Sequence, residues 1–237
     1  MDNGIFTGFT PQTLQFLMEL QFNNNKAWFE ENKQRYLNEV AEPFKMLVKE
    51  LAPFMLEIDQ GLETRAEIGK TISRIYRDTR FSKEKTPYKT SVWITFRRVG
   101  RDWLYDPSFF FEITPDVYRY GMGFYTASKP TLERLRELID DEDPGFMELK
   151  NTYENQKLFV MEGDRYKKLY AGMKSEDLLE WYQRKNVYFM CTKKPDKLLF
   201  SPDLTSAVKD CFTGLVPFYR FLWRIKSEGE AKEQTNR

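Results

Sequence analysis

The chain has 237 residues, with 37 lysines and arginines against 36 aspartates and glutamates, a formal charge of +1 and no histidine. That balance, with a pI of about 7.6, speaks against a broad electrostatic footprint for nucleic acid; the missing imidazole removes Ser-His-Asp and Cys-His catalysis and histidine metal ligation. A composition 41% hydrophobic, with 20 Phe, 13 Tyr and 5 Trp, is that of a globular chain able to bury a sizeable core.

Two cysteines, Cys191 and Cys211, are too few for a disulfide framework or a cysteine-only zinc site, and their apolar surroundings point to buried free thiols. No apolar run approaches a membrane span, since even residues 214–223 are interrupted by Arg220. Met1-Asp2-Asn3-Gly4 lacks the basic and apolar regions of a signal peptide. A soluble cytoplasmic protein is the expectation.

In chain order, Thr10-Pro11-Gln12 opens a helix with a capping hydroxyl and a proline at the first helical position, and Leu14, Phe16, Leu17 and Leu20 give it an apolar face. Asn23-Asn24-Asn25 reads as a turn that breaks this helix and caps the next, which carries Trp28, Phe29, Tyr36 and Val40. Pro43 and Pro53 are expected to interrupt or restart the helical pattern, with a third helix over residues 44–51.

Residues 71–98 are the focus of the chain. Both ends alternate and are rich in β-branched and aromatic residues, whereas the middle is charged and holds Pro87, which reads as strand, long loop, strand. The connection from Asp78 to Thr90 is 13 residues, far longer than a hairpin needs, and such loops tend to be functional or disordered. Residues 65–101 hold eleven basic residues (Arg65, Lys70, Arg74, Arg77, Arg80, Lys83, Lys85, Lys89, Arg97, Arg98, Arg101) against three acidic ones (Glu67, Asp78, Glu84), a local charge of +8.

Beyond this stretch, residues 108–114 and 117–125 read as two strands joined by a turn at Pro115-Asp116. Four strands without a helical crossover predict an antiparallel sheet. Gly121-Met122-Gly123 lacks the context of a dinucleotide fingerprint and reads as close backbone packing. A helix follows from Ser128, ending in the acidic turn Asp140-Asp141-Glu142-Asp143; further helices are expected over residues 146–153 and 175–184, and a strand over 187–192. Residues 158–172 are ambiguous. A long helix from Ser201, kinked at Pro217, leads into a polar tail at residues 227–237 expected to fray. The whole reads as one α+β domain over residues 1–226, an antiparallel sheet of four or more strands with helices packed on it.

Asn25-Lys26-Ala27-Trp28-Phe29 with Tyr36 and Pro43, the run from Arg74-Ile75-Tyr76-Arg77-Asp78 through Arg80-Phe81-Ser82 to Lys85-Thr86-Pro87-Tyr88-Lys89, and Gly121-Met122-Gly123-Phe124 with Leu132, Arg136 and Ile139 together give most of the chain a likeness. It resembles the family catalogued as domain of unknown function 2461. The chain departs at Ser91, near a place where that family often has histidine. The resemblance implies one compact α+β domain and no particular reaction.

Three functions fit the residues. In the first, a binding protein or enzyme holds a small phosphorylated or carboxylated ligand: Arg74, Arg77, Arg80, Lys83, Lys85 and Lys89 bind the anion, Tyr76 and Tyr88 offer stacking surface, and Asp78 or Glu112 is the carboxylate for acid/base work or magnesium. Arg74 and Arg77 have opposite parity in a regular strand, so both reach one ligand only if the strand ends or bulges near Tyr76; Arg77, Arg80 and the loop lysines are therefore favoured over Arg74. In the second, the protein is a structural or protein-interaction domain whose cations pair with acidic helices elsewhere in the chain. In the third, basic residues interleaved with Tyr76, Phe81, Tyr88, Trp93 and Phe96 bind single-stranded nucleic acid. No cofactor or dedicated metal site is indicated.

Overall fold

The computed structural model describes residues 5–80, 83–100, 103–166 and 175–235. Phe81, Ser82 and Arg101, together with part of residues 158–172, lie outside the described residues. The architecture is α+β. Helices α1 (Pro11–Phe22), α2 (Lys26–Arg35) and α3 (Glu42–Ile58) precede strands β1 (Val92–Phe96), β2 (Pro107–Ile113) and β3 (Tyr118–Phe124). Helices α4 (Lys129–Asp140) and α5 (Pro144–Glu154), strand β4 (Val160–Glu162), helix α6 (Glu176–Tyr182), strand β5 (Tyr188–Lys193) and helix α7 (Asp203–Thr235) complete the chain. The five strands form an antiparallel sheet in the order β1-β2-β3-β5-β4. No described helix is long and apolar enough to cross a membrane.

Two compact units divide the chain, one made of Met1–Arg97, Phe110–Tyr120 and Thr192–Asp210, the other of Arg98–Phe109, Gly121–Cys191 and Cys211–Arg237. The first packs Phe9 between Phe44 of α3 at 4.9 Å and Phe111 of β2 at 5.7 Å, all three fully buried. The second gathers Phe189 of β5, Phe218 of α7 at 4.6 Å and Trp181 of α6 at 5.7 Å. Within it, β3 lies so close to β5 that a β-carbon at Gly121 would overlap the Phe189 carbonyl and one at Gly123 the Tyr188 side chain, the close packing expected of this pair of glycines.

Pro43 does not interrupt the helical run as expected. Residues 26–58 are helical throughout, because a π-helical turn, Tyr36–Ala41, joins α2 to α3 and Pro43 falls in the first turn of α3. Proline has no N–H for the carbonyl four residues back, that of Glu39. The Thr13 hydroxyl, wholly buried on α1, donates to that carbonyl at 2.6 Å instead. A donor 26 residues away thus satisfies a group that the local sequence leaves open.

Asn25 caps α2 by accepting from the Trp28 N–H at 3.1 Å, so the triple asparagine is a turn and a cap. In the acidic run after α4, Asp143 caps α5 by accepting from the Phe146 N–H and pairs with Arg224 at 2.9 Å. Pro217 lies inside α7, which continues to Thr235 instead of fraying from Ser227. Arg134 and Arg224 both hold Glu228, and Lys232 pairs with Glu137.

Candidate functional site

The focal stretch forms an irregular hairpin. Ser73 N–H donates to the Trp93 carbonyl and Thr95 N–H to that of Thr71; further out, Arg77 N–H donates to the Pro87 carbonyl and Lys89 N–H to that of Ile75, all at 2.8 Å. Isolated bridges join Ile72 to Ile94 and Tyr76 to Tyr88. Between these bridges residues 73–75 face residues 89–93, so only the return arm is a regular strand, and the alternation that separates Arg74 from Arg77 does not hold across the mismatch.

The root of the loop is held by aromatic packing and by one asparagine. Tyr88 stacks on Phe29 of α2 at 4.2 Å, and Tyr76 meets both rings, Phe29 at 6.0 Å and Tyr88 at 5.4 Å. Asn24 grips the Tyr88 peptide at both ends, its amide N–H donating to the carbonyl and its carbonyl oxygen accepting the N–H, each at 3.0 Å. Tyr88 is therefore 2% exposed and is a packing residue, not the stacking platform the sequence suggests. Phe96 is fully buried as well.

Within the loop the charges find partners close by. Arg80 makes a two-pronged contact with Asp78, Nε to Oδ1 at 3.0 Å and Nη2 to Oδ2 at 2.7 Å. Lys85 donates to the Thr79 carbonyl and Lys89 to that of Arg74, each at 2.9 Å, and Arg77 Nη2 reaches the Tyr88 carbonyl at 3.4 Å. Lys89 also lies 4.5 Å from the centre of the Trp93 ring; burial, then the nearby Arg77 and Arg74 charges, push its pKa down. Glu84 accepts from the Thr86 N–H and hydroxyl. Lys83 is exposed. Among the described contacts, Lys85, Lys89 and Arg77 bond to backbone carbonyls of their own hairpin.

The two carboxylates expected to do chemistry are engaged and apart. Arg80's hydrogen bond holds the Asp78 carboxyl at about 2, so at neutral pH it is an ionised, paired group and a poor proton carrier. Glu112 on β2 pairs across the hairpin with Arg119 of β3 at 2.5 Å, and no described contact joins it to the loop.

An open groove of about 350 Å³ lies beside the loop, lined by Phe29, Lys33, Tyr36, Leu37, Ile68, Arg74, Ile75 and Tyr76. All of these belong to the first compact unit. The π-helical turn starts at Tyr36, with the Glu42 N–H donating five residues back to Leu37, and such turns recur at functional sites. It brings Tyr36 and Leu37 onto the groove. Tyr36 is 4% exposed, and its hydroxyl is sealed from solvent with no hydrogen-bond partner. Burial, reinforced by the Tyr76 phenol, raises its pKa to about 12.

Opposite, Gly69 at φ +86 leaves room for Arg74, whose Nε would stand 2.9 Å from a β-carbon there. Arg74 is exposed and has no carboxylate partner among the described residues. Of the six cations nominated from sequence, Arg74 alone lines the groove. Phe29, Lys33, Tyr36, Leu37, Ile68 and Ile75 also line the groove, and none of them carries a site signal in the sequence; a lone glycine at position 69 within a strand-like basic stretch is the one local cue.

The groove can bind better than it can transfer protons. Its eight lining residues include two cations and three aromatic rings but no acid, the chain has no imidazole, and a phenol held at about 12 stays protonated at neutral pH. No curated protein matches the chain. A family model described as a conserved hypothetical protein, DUF2461, matches residues 12–221, covering both arms of the focal hairpin and every residue of the groove, and the chain belongs to that family.

Proposed function

We propose that the protein binds a small carboxylated or phosphorylated molecule in the groove beside α2, with Arg74 as the chief partner of the anion and the charged loop as the scaffold that holds the groove's wall. The observation that carries this reading is the lining itself: a pocket of ligand size whose only formal charges, Lys33 and Arg74, are positive. Lys33 is shared with Glu30 at 3.6 Å, whereas Arg74 has no such neighbour among the described residues. A cytoplasmic setting is part of the same reading, since neither Cys191 nor Cys211 is held in a disulfide.

A thermal-shift screen of organic acids, nucleotides and sugar phosphates tests the reading. A ligand at about 100 times its Kd adds roughly 2.7 kcal/mol, and each kcal/mol moves Tm by about 2–4 °C for a chain of this size. Arg74→Ala is expected to remove the shift, while Lys85→Ala keeps it. A shift that survives Arg74→Ala, or its absence for every anion, overturns the assignment.

A further inference from the structure

The sheet has two outer strands, β1 and β4. Along β1 the free side is closed by backbone, through the Ser73–Trp93 and Thr95–Thr71 bonds of the focal hairpin. Outside β4 no further strand lies among the described residues. It pairs with β5, Val160 opposite Met190 and Glu162 opposite Tyr188, and in an antiparallel pair alternate residues turn their N–H and C=O to the open side. A bare row of such groups is a template for another strand. On β4 side chains take them. Gln156, just past α5, holds both groups of Phe159: its amide donates to the carbonyl at 2.8 Å and its oxygen accepts the N–H at 3.0 Å. The Tyr153 hydroxyl on α5 accepts the Met161 N–H at 3.0 Å. Arg184 donates to the Met161 carbonyl at 3.1 Å and to the Gly163 carbonyl at 2.8 Å, and Glu180 of α6 anchors the same guanidinium at 2.7 Å. Three side chains thus engage five backbone groups of residues 159–163. Arg184 is 3% exposed, a costly position for a charge unless it is paired and hydrogen-bonded, and two of its described bonds go to this edge. The run beneath them invites pairing. Leu158-Phe159-Val160-Met161 is apolar throughout, Leu158 and Val160 are 56% and 54% exposed, and short apolar runs of this kind assemble strand on strand when their edge is bare.

We propose that Tyr153, Gln156 and Arg184 form a cover over the free edge of β4 that keeps the chain from adding a second copy of itself, strand to strand, at residues 158–161. With the cover in place the outward groups are already bonded, so a second strand gains little by docking. With it removed, two copies laid antiparallel at this edge continue the sheet and bring their exposed Val160 side chains onto one face of the joint. The inference is independent of the anion-binding reading, because the groove belongs to the first compact unit and the cover to the second.

Sedimentation velocity of the full chain over a concentration series tests it. Tyr153→Phe combined with Gln156→Ala frees three of the five groups. It keeps the ring of residue 153 in its packing against Trp181 and Phe189, so the fold is retained, and circular dichroism verifies this. The double variant is expected to self-associate at least about tenfold more tightly than wild type. Adding Val160→Lys, which sets like charges side by side across the joint, is expected to return it to the wild-type state. Amide exchange gives the second readout. In dilute double variant the Phe159 and Met161 amides are expected to exchange up to about tenfold faster than in wild type, each having lost one hydrogen bond, and to slow again as concentration rises and the strands pair. A double variant that associates no more than wild type overturns the proposal, as does association that survives Val160→Lys. So does a wild type whose own self-association Val160→Lys abolishes, since the edge would then pair with its cover in place.

Discussion

The loop of residues 77–89 and the groove beside it handle charge in opposite ways. The loop is crowded with cations, yet Arg80 closes on Asp78, Lys85 and Lys89 close on carbonyls of Thr79 and Arg74, and Arg77 leans on the Tyr88 carbonyl. The groove's lining has two cations, and among the described residues it leaves an arginine without an acid and a buried hydroxyl without an acceptor. A dense cluster of charge in sequence therefore marks a segment that needs internal partners as readily as one that seeks a ligand. What distinguishes a site is the polar group left unsatisfied.

Tyr88→Ala breaks the comparison most severely. If the loop is scaffold, this ring is core: it is 2% exposed and stacked on Phe29. Large-to-small changes of buried aromatics cost about 3–5 kcal/mol. At about 2–4 °C per kcal/mol, the variant should lose many degrees of Tm in a calorimetric scan, without any ligand present. An unchanged Tm would mean that Tyr88 is free to serve a ligand and that the loop, not the groove, is where to look.

The groove side has its own signature at alkaline pH. The Tyr36 pKa rises from 10.0 to about 12 on folding, so between those values the unfolded chain loses its proton while the folded one keeps it. The stability this contributes is whole below pH 10, the unfolded value, and is lost as pH rises through about 12. A two-unit displacement corresponds to on the order of 2–3 kcal/mol. Wild type should therefore lose stability to denaturant more steeply than Tyr36→Phe across that window, and the variant should already be the more stable of the two at neutral pH, because it removes a buried hydroxyl that has no partner. Parallel pH profiles for the two proteins would mean that the phenol is not sealed.

How much of this could be read in advance depends on how local the cause is. The β2–β3 hairpin was legible because Phe109, Phe111 and Ile113 alternate inward and the turn at Thr114–Val117 is written in the residues that make it. Strand β4 was not: it is three residues long, at the edge of the sheet, and exposes Val160 by 54%. Helical continuity through Pro43 depends on Thr13, a residue whose role no window around Pro43 can show. The groove was hidden for a similar reason, since residues 29–37 and 68–76 meet only in the fold. Charge density, the loudest signal in the sequence, pointed to the neighbouring loop and overlapped the groove at Arg74 alone.

Arg80 sits in the middle of the basic run and by sequence is favoured over Arg74 as an anion ligand. Its guanidinium is 76% exposed, and its partner Asp78 is 58% exposed, a setting in which an ion pair contributes little that can be measured. Because Asp78 already occupies both prongs of the fork, an incoming anion would have to displace a carboxylate tethered two residues away. Arg80→Ala should therefore leave Tm within experimental scatter of wild type and leave the affinity of any groove ligand unchanged, while Arg74→Ala, equally mild for stability, removes binding. Paired titrations of the two variants with one ligand at fixed ionic strength read this out. If Arg80→Ala weakens binding as much as Arg74→Ala does, the ligand spans loop and groove together, and the division between a self-satisfied scaffold and an unsatisfied site does not hold.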